Sequence, residues 1–173
     1  LFVSPAEDLA VAQTRKYASV CDRIGVAPEA RLLEIGCGWG GFAEYAASER
    51  GARVTGLTIS REQYDFARER MFRQGLNERV EIVMRDYREE RGRFDGIASI
   101  EMFEAVGEKY WPAYFGKLHD CLKAGGRAGL QIITIADASY DYYRTHPDFI
   151  QRYIFPGGML PSASILSRLT REA

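Results

Sequence analysis

Closely spaced glycines are the first feature of this sequence that could do chemistry. They lie in the segment Leu32-Leu33-Glu34-Ile35-Gly36-Cys37-Gly38-Trp39-Gly40, where an apolar run ends. A strand that ends in such glycines and turns into a helix brings backbone N–H groups close to a ligand, and a side chain there would block that approach. In open α/β sheets, ligands bind outside the carboxyl ends of the strands. The segment therefore predicts a nucleotide-type site, although a tight turn could need the same glycines for structural reasons alone.

The spacing of the glycines distinguishes between classes of nucleotide. A dinucleotide site has the pattern G-x-G-x-x-G and an acidic residue about 20 positions later, at the end of the second strand, for the ribose. Here the glycines are Gly36, Gly38 and Gly40, and the second strand runs into Leu57-Thr58-Ile59-Ser60 without a carboxylate. Both details disfavour NAD. The pattern E-x-G-x-G-x-G, with its acid at Glu34, is instead typical of S-adenosylmethionine-dependent methyltransferases.

Composition argues against several other classes of protein. The 173 residues include 23 Lys and Arg against 24 Asp and Glu, so there is no global field to attract nucleic acid, and we expect no such partner. The three cysteines are widely spaced and only two histidines are present, so we expect no metal site. No apolar run approaches the length of a membrane span, and the default interpretation is a cytoplasmic protein.

Strands alternate with helices along residues 1–135. The predicted strands are 31–35, 53–57, 80–84, 94–100 and 127–135. Such alternation means right-handed βαβ crossovers and a parallel sheet covered by helices on both faces. We therefore predict an α/β fold in which residues 1–135 form a Rossmann-like, cofactor-binding core.

Capping residues predict where the helices begin and end. Ser4-Pro5-Ala6-Glu7 predicts a first helix with Ser4 as its N-cap, and Gly25 is placed to stop it. Ser60-Arg61-Glu62-Gln63 is a second capping box. A helix between 108 and 123 should end at Gly125-Gly126, and a last helix should start from Ser162.

The alternation stops after Ile135. The stretch 136–173 contains six spaced aromatic residues, namely Tyr140, Tyr142, Tyr143, Phe149, Tyr153 and Phe155. Large apolar side chains near a strand end suit a lipid channel. We expect an insertion of the same domain that covers the substrate, with the chain incomplete after it; ordinary packing of an insertion is the alternative.

Four motifs in order carry a closer resemblance. They are the segment 34–41, the segment 56–60 with Gln63, Met102-Phe103-Glu104-Ala105-Val106-Gly107, and 153–162. Together they resemble the cyclopropane-fatty-acyl-phospholipid synthases and their mycolic-acid relatives over nearly the whole chain. The resemblance implies a class I methyltransferase that moves a methyl or methylene group from S-adenosylmethionine to the double bond of an unsaturated phospholipid acyl chain. The product would be a cyclopropane or a methyl-branched chain, made at the inner membrane surface.

The same resemblance implies the cofactor-binding residues. They are Glu34, Gly36 and Gly38 in the glycine motif, Thr58 and Gln63 for the ribose, and Asp86 and Tyr87 for the adenine. Thr58 and Gln63 could equally serve only to cap a helix. Tyr87 could be a half-buried loop aromatic.

The implied catalytic residues are Glu104, Cys37 and Gln131. In the family, a bound bicarbonate takes a proton from the new methyl group, held partly by a Glu at the position of Glu104 and partly by a backbone group at the position of Cys37. The family usually has His where this chain has Ala105 and Gln131. Because Gln cannot exchange a proton near neutral pH, this departure weakens the prediction of ring closure more than the prediction of lipid methylation. Glu101 is a rival carboxylate without the family match.

Family members have further segments on both sides of such a chain. Five strands are predicted here, whereas the methyltransferase fold has seven, so we expect a fold truncated at both ends. Three alternatives remain open: a methyltransferase of a small amine or hydroxyl substrate, a dinucleotide-binding oxidoreductase domain, and a fragment that only binds.

Overall fold

A five-stranded sheet forms the centre of the fold in the computed structural model, which describes residues 2–173. The strands are β1 (Arg31–Ile35), β2 (Arg53–Thr58), β3 (Val80–Met84), β4 (Phe94–Ile100) and β5 (Leu122–Gln131). Their order in the sheet is β3-β2-β1-β4-β5. The pairings of β1 with β2, β1 with β4 and β2 with β3 are parallel, as expected for strands joined by crossovers.

Within residues 2–173, six α-helices accompany the strands. They are α1 (Leu9–Ile24), α2 (Gly41–Arg50), α3 (Arg61–Arg73), α4 (Trp111–Cys121), α5 (Asp137–Thr145) and α6 (Ala163–Glu172). Short 3-10 turns lie at Tyr87–Glu89, Phe103–Ala105 and Glu108–Tyr110, and one turn of π-helix at Ile150–Ile154.

The chain divides into two compact units. The first comprises Leu1–Ser99 with Cys121–Leu130, and the second Ile100–Asp120 with Gln131–Ala173. The first unit contains α1, α2, α3 and nearly all of the sheet. The predicted boundary between a core at 1–135 and an insertion at 136–173 does not coincide with the boundaries of these units. That the insertion covers the substrate remains a prediction.

The core of the first unit depends on close contact between helix and sheet. The side chains of β1 are almost fully buried from Leu32 to Ile35, which makes this strand the centre of the apolar core. A Cβ atom on Gly96 would lie 2.4 Å from Ile24 Cγ2, and one on Gly129 would lie 2.8 Å from Ile24 Cγ1. These two glycines therefore let the end of α1 pack directly against β4 and β5.

Aromatic side chains form the core of the second unit. Phe103 stacks on Trp111 with ring centroids 5.4 Å apart and contacts Tyr114 and Phe115 at 5.0 and 5.6 Å. The Trp111 indole N–H donates to the Val106 carbonyl at 2.9 Å, which satisfies the buried polar atom of that ring. This cluster fixes the 3-10 turn at Phe103–Ala105 on which Glu104 lies.

The first helix starts later than the sequence predicts. Its N-cap is Asp8, whose Oδ1 accepts from the Ala10 N–H at 2.8 Å, so the predicted cap at Ser4 is wrong. The carboxylate of Glu7 accepts from the Val3 N–H and from Arg15, and does not close a capping box. The predicted end at Gly25 is confirmed, with φ at 78° and its N–H bonded to Cys21 and Asp22 carbonyls.

The predicted boundary between α4 and β5 is also wrong. The helix ends at Cys121, and the strand runs from Leu122 to Gln131 instead of 127–135. A Cβ atom on Gly126 would lie 2.9 Å from the Asp95 carbonyl oxygen, so this glycine permits a close approach of strands and does not end a helix. Beyond the strand, the Ile133 N–H donates to the Glu104 carboxylate.

Candidate active site

The carboxyl ends of β1, β2 and β3 meet at one edge of the sheet. Ile35 at the end of β1 is in register with Leu57, and Thr58 at the end of β2 is in register with Met84. The Arg85 N–H, just beyond β3, donates to the Thr58 carbonyl at 3.0 Å. The structure thus brings together the cofactor-binding residues predicted in the first unit, at the edge where open α/β sheets bind ligands.

The glycine turn after β1 depends on left-handed backbone. Gly36, Gly38 and Gly40 have φ values of 77°, 53° and 80°, a region costly for residues with a Cβ atom. A Cβ atom on Gly40 would lie 3.2 Å from Ala67 Cβ, so this glycine allows α3 to pack closely. A Cβ atom on Gly38 would meet no protein atom within 4 Å. Gly38 therefore borders open space, as a glycine under a ligand should.

Cys37 is held differently from the prediction. Its N–H donates to the Leu57 carbonyl at 2.8 Å, and the Gly36 N–H donates to the same carbonyl at 3.0 Å. The Cys37 amide is thereby engaged within the turn. The geometry does not support the predicted use of the Cys37 amide to hold a bound anion. Burial, with a further contribution from nearby Glu34, raises the pKa of the Cys37 thiol to about 12. The side chain is a buried neutral thiol and not a nucleophile.

Glu34 is a buried acid with an incomplete set of partners. It is 3% exposed, and burial raises the pKa of its carboxyl well above the usual range, against the effect of a hydrogen bond from the Ala43 N–H. Its Oε2 atom has no hydrogen-bond partner among the described residues. Buried polar atoms are nearly always satisfied, so this oxygen indicates a missing polar partner.

Thr58 and Gln63 form a network at the end of β2. The Thr58 hydroxyl donates to Gln63 Oε1 at 2.8 Å and accepts from the Ser60 N–H at 3.1 Å. Ser60 Oγ accepts from the Gln63 N–H at 3.2 Å and caps α3, as predicted. The Gln63 side chain bonds to Thr58 through its oxygen, which leaves its NH₂ group as a donor. The two residues thus both support the cap and can offer hydrogen bonds to a ribose.

Ile59 is a residue at this edge that the sequence analysis missed. It follows Thr58 and is 80% exposed, although it is a large aliphatic residue next to a buried strand. Such a side chain offers an apolar surface on which a planar base can lie. The signal was present in the sequence, as an apolar residue between the strand end and the N-cap Ser60.

Asp86 and Tyr87 lie just beyond β3. The Asp86 carboxylate accepts from the backbone and side-chain nitrogens of Arg88, at 2.9 Å for both N and Nε. The Arg88 hydrogen bonds lower the pKa of Asp86, and the aspartate caps the turn Tyr87–Glu89. Tyr87 is half-buried, and burial raises the pKa of its hydroxyl. Their role toward adenine remains a prediction.

The carboxylate of Glu104, in the second unit, accepts one hydrogen bond and has one oxygen without a partner among the described residues. Its Oε1 accepts from the Ile133 N–H at 2.5 Å, and its backbone carbonyl accepts from the Met159 N–H at 3.0 Å. Its Oε2 is buried and has no hydrogen-bond partner among the described residues. The carboxylate is therefore fixed in orientation and keeps an acceptor for a further group.

Gln131 is paired with Glu101, the rival carboxylate, and not with Glu104. Its Nε2 donates to Glu101 Oε1 at 2.5 Å, and its carbonyl accepts from the Glu101 N–H at 2.9 Å. Glu101 also has a φ of 52°, unusual for a residue with a long side chain. The sequence analysis named Glu101 but found no reason to select it, because the pairing joins residues 30 positions apart.

Two searches of residues 2–173 bear on other kinds of site. No helix in this range is both long and apolar enough to cross a membrane. No group of three His, Cys, Asp or Glu side chains in the described part of the chain could hold a metal ion.

Known proteins resemble this chain in sequence. Tuberculostearic acid methyltransferase of Mycobacterium tuberculosis is 42% identical over 165 residues, which are 95% of this chain and 38% of that protein. Cyclopropane-fatty-acyl-phospholipid synthase of Escherichia coli K12 is 42% identical over 157 residues, which are 91% of this chain and 39% of that protein. The chain thus spans about two fifths of the length of these curated relatives.

Solved structures share the fold. A cyclopropane synthase from Mycobacterium tuberculosis superposes with a TM-score of 0.89 at 25% identity, over 99% of this chain and 63% of that one. A mycolic acid cyclopropane synthase complexed with SAH and CTAB superposes with a TM-score of 0.88 at 26% identity, over 99% of this chain and 63% of that one. The sheet and helices described above are therefore those of an S-adenosylmethionine-dependent methyltransferase fold. The family described as mycolic acid cyclopropane synthetase matches residues 1–173, and the chain belongs to that family.

Proposed function

We propose that the protein containing this chain transfers a methyl or methylene group from S-adenosylmethionine to the double bond of an unsaturated phospholipid acyl chain. The observation that carries the proposal is the left-handed glycine turn after β1, in which the Cβ position of Gly38 borders open space. Two relatives, one named tuberculostearic acid methyltransferase and the other cyclopropane-fatty-acyl-phospholipid synthase, support the reaction class and the lipid substrate.

The residues at the sheet edge fit the proposed cofactor. The turn at Gly38 permits close approach, and Thr58 with Gln63 supplies hydrogen-bonding groups where a dinucleotide site would carry an acid. The unpaired Oε2 of Glu34 calls for a polar partner. When bound, the cofactor supplies a methyl group activated on a sulfonium. A similar structure was solved as a complex with SAH, the demethylated form of this cofactor.

Little acid–base chemistry is needed before the methyl group moves. The alkene is a poor nucleophile, so the chain's main task is to align the reactants and exclude water. Methyl transfer leaves a cation on the acyl chain, and loss of a proton completes the reaction. We propose that Glu104, with its oriented carboxylate and unpaired Oε2, holds or accepts that proton; a bicarbonate ion is the other acceptor that the family resemblance implies.

The second unit offers apolar groups for the acyl chain. Several large side chains in 136–173 are exposed, namely Tyr142, Phe149, Ile150, Tyr153, Ile154 and Phe155. Exposed apolar clusters of this kind mark ligand or membrane contacts in soluble domains. We propose that this stretch covers the lipid and that the protein works in the cytoplasm, peripherally at the inner membrane surface.

Calorimetry of the full-length protein tests the cofactor assignment. Gly38→Val should abolish S-adenosylmethionine binding, because the new side chain occupies the space that the cofactor needs. Gly75→Val is a matched control, since Gly75 has a φ of 66° and its Cβ position also meets no protein atom within 4 Å. NAD should not bind to the parent. Unchanged affinity in a folded Gly38→Val variant would refute the site.

A further inference from the structure

Glu101 carries an unexpected backbone conformation. It directly follows β4 and has a φ of 52°, whereas left-handed backbone is normally taken by Gly, Asn or Asp. Such strain persists only where the surrounding structure enforces it, and it concentrates at functional sites. The conformation is therefore a reason to ask what the Glu101 side chain does.

Two hydrogen bonds tie Glu101 to Gln131, the last residue of β5. The Glu101 N–H donates to the Gln131 carbonyl at 2.9 Å, and Gln131 Nε2 donates to Glu101 Oε1 at 2.5 Å. Glu101 is exposed and Gln131 half-buried. An exposed pair of this kind contributes little to stability, so stability alone does not account for the strain.

The pairing determines which way the Gln131 amide faces. A carboxylate only accepts hydrogen bonds, so the amide nitrogen must face Glu101 and the amide oxygen must face away. One N–H is thereby used, and the oxygen remains as an acceptor. An anion that reached the remaining N–H would also lie close to the Glu101 carboxylate, which would repel it.

We propose that Glu101 is a positioning residue that locks Gln131 in this orientation and thereby excludes bicarbonate from it. The proposal rests on the proposed function and decides between the two proton acceptors that the function leaves open. With bicarbonate excluded, the proton passes to a protein carboxylate, for which Glu104 is the candidate.

Ring closure and methyl branching differ in which proton the acyl cation loses. In both, the new bond joins the transferred methyl carbon to one alkene carbon, and the sulfur–methyl bond breaks. Loss of a proton from the transferred methyl group closes the ring. Loss of a proton from a neighbouring chain carbon gives a methyl-branched alkene. S-adenosylmethionine with a fully deuterated methyl group separates these two products, because ring closure removes one deuteron and this methyl branching removes none. A methylene branch, formed by a hydride shift and loss of a deuteron from the same methyl group, has the mass of the ring and is separated from it by gas chromatography.

The test compares Glu101→Gln with the parent in the full-length protein. An oleoyl phospholipid and deuterated S-adenosylmethionine would be supplied with and without bicarbonate, and the acyl products analysed by mass spectrometry. The parent should show no dependence on bicarbonate. In Glu101→Gln the Gln131 amide can turn, so bicarbonate should stimulate turnover and the ratio of ring to branched product should change by about 5-fold or more, the range for coupled contacts.

Three further variants make the result specific. Glu29→Gln is the matched control, because Glu29 is also a glutamate at positive φ (62°) whose carboxylate accepts from side chains, Arg53 and Arg79. Its products should match those of the parent. In a Gln131→Met background, Glu101→Gln should have no further effect on the product ratio. Glu101→Gly, which relieves the backbone strain, should behave like Glu101→Gln if the latter folds poorly.

Three results would overturn the proposal. A parent that depends on bicarbonate, or a Glu101→Gln variant with the parent's ratio and bicarbonate response, overturns the proposal. An unchanged effect of Glu101→Gln in the Gln131→Met background shows that Glu101 does not act through Gln131, and also overturns it. A parent that transfers no label to lipid refutes the proposed function instead, whatever the variants do.

Discussion

At the scale of single residues, each of the two units contains a glutamate with a buried oxygen that has no hydrogen-bond partner among the described residues. Glu34 is fully buried behind the glycine turn, and Glu104 keeps one buried oxygen unpaired. Neither feature could be deduced from residue type alone. Glu34 was identified in the sequence as part of a motif, but its burial follows from its place on the central strand β1, in register with Gly56 and Ala98.

The buried state of Glu34 predicts a pH dependence of stability. The unfolded carboxyl has its ordinary pKa of 4.5, and the folded pKa is well above that. Below about pH 4.5 both states hold the proton; as the pH rises from there toward the folded pKa, only the unfolded state releases it, so stability falls. Glu34→Gln should remove this loss, and its stability relative to the parent should therefore rise between pH 5 and pH 8 in urea unfolding.

An exposed glutamate provides the comparison for this experiment. Glu81 lies on β3 with its side chain exposed, and Glu81→Gln should follow the parent at every pH. If the difference in unfolding free energy between parent and Glu34→Gln stayed constant from pH 5 to pH 8, the buried protonated state assigned to Glu34 would be wrong.

The hydrogen bonds that sequence analysis could not predict share one property. Glu101 and Gln131 are paired across two strands and 30 positions of sequence, and the Cys37 amide is engaged by Leu57 from a neighbouring strand. Motifs identify residues along the chain. Which hydrogen bonds those residues make depends on strand register and on backbone angles, which a motif does not contain.

At the scale of elements, the sequence predicted the strands of the first unit well and the element ends less well. The alternation of apolar runs and helices correctly predicted the bounds of β1, β3 and β4. The predicted β2 ended one residue before the observed end at Thr58. The errors fall at Ser4 and at Gly125-Gly126, where local signals pointed to a cap and a helix end. In both places contacts with other parts of the chain set the element boundary. Glu7 bonds to Arg15 and does not close a capping box, and Gly126 lies close to the Asp95 carbonyl oxygen within β5.

The corrected start of α1 leads to a stability prediction. Asp8→Ala should lower the free energy of unfolding by about 1 kcal/mol, because it removes the side chain that accepts from the Ala10 N–H. Ser4→Ala, at the N-cap predicted from sequence, should change it by less than about 0.5 kcal/mol. Urea unfolding of the two variants beside the parent measures both values, and a larger loss in Ser4→Ala would show that the helix begins where the sequence predicted.

At the scale of the whole molecule, the family and the fold are established and the complete reaction is proposed. The chain matches its family over residues 1–173 but spans about two fifths of its curated relatives. The first unit contains the glycine turn and the ribose-binding candidates, and the second contains Glu101, Glu104 and Gln131. A test of the central claim must therefore use the full-length protein.

The most direct measurement follows the methyl group itself. Full-length protein would be incubated with oleoyl phospholipid and S-adenosylmethionine deuterated in its methyl group, and the released acyl chains weighed by mass spectrometry. We predict acyl chains that are one carbon heavier and carry deuterium, with no such product from Gly38→Val. Recovery of only unmodified acyl chains from folded parent protein that binds S-adenosylmethionine, or label found only on a small amine or hydroxyl compound, would contradict the account.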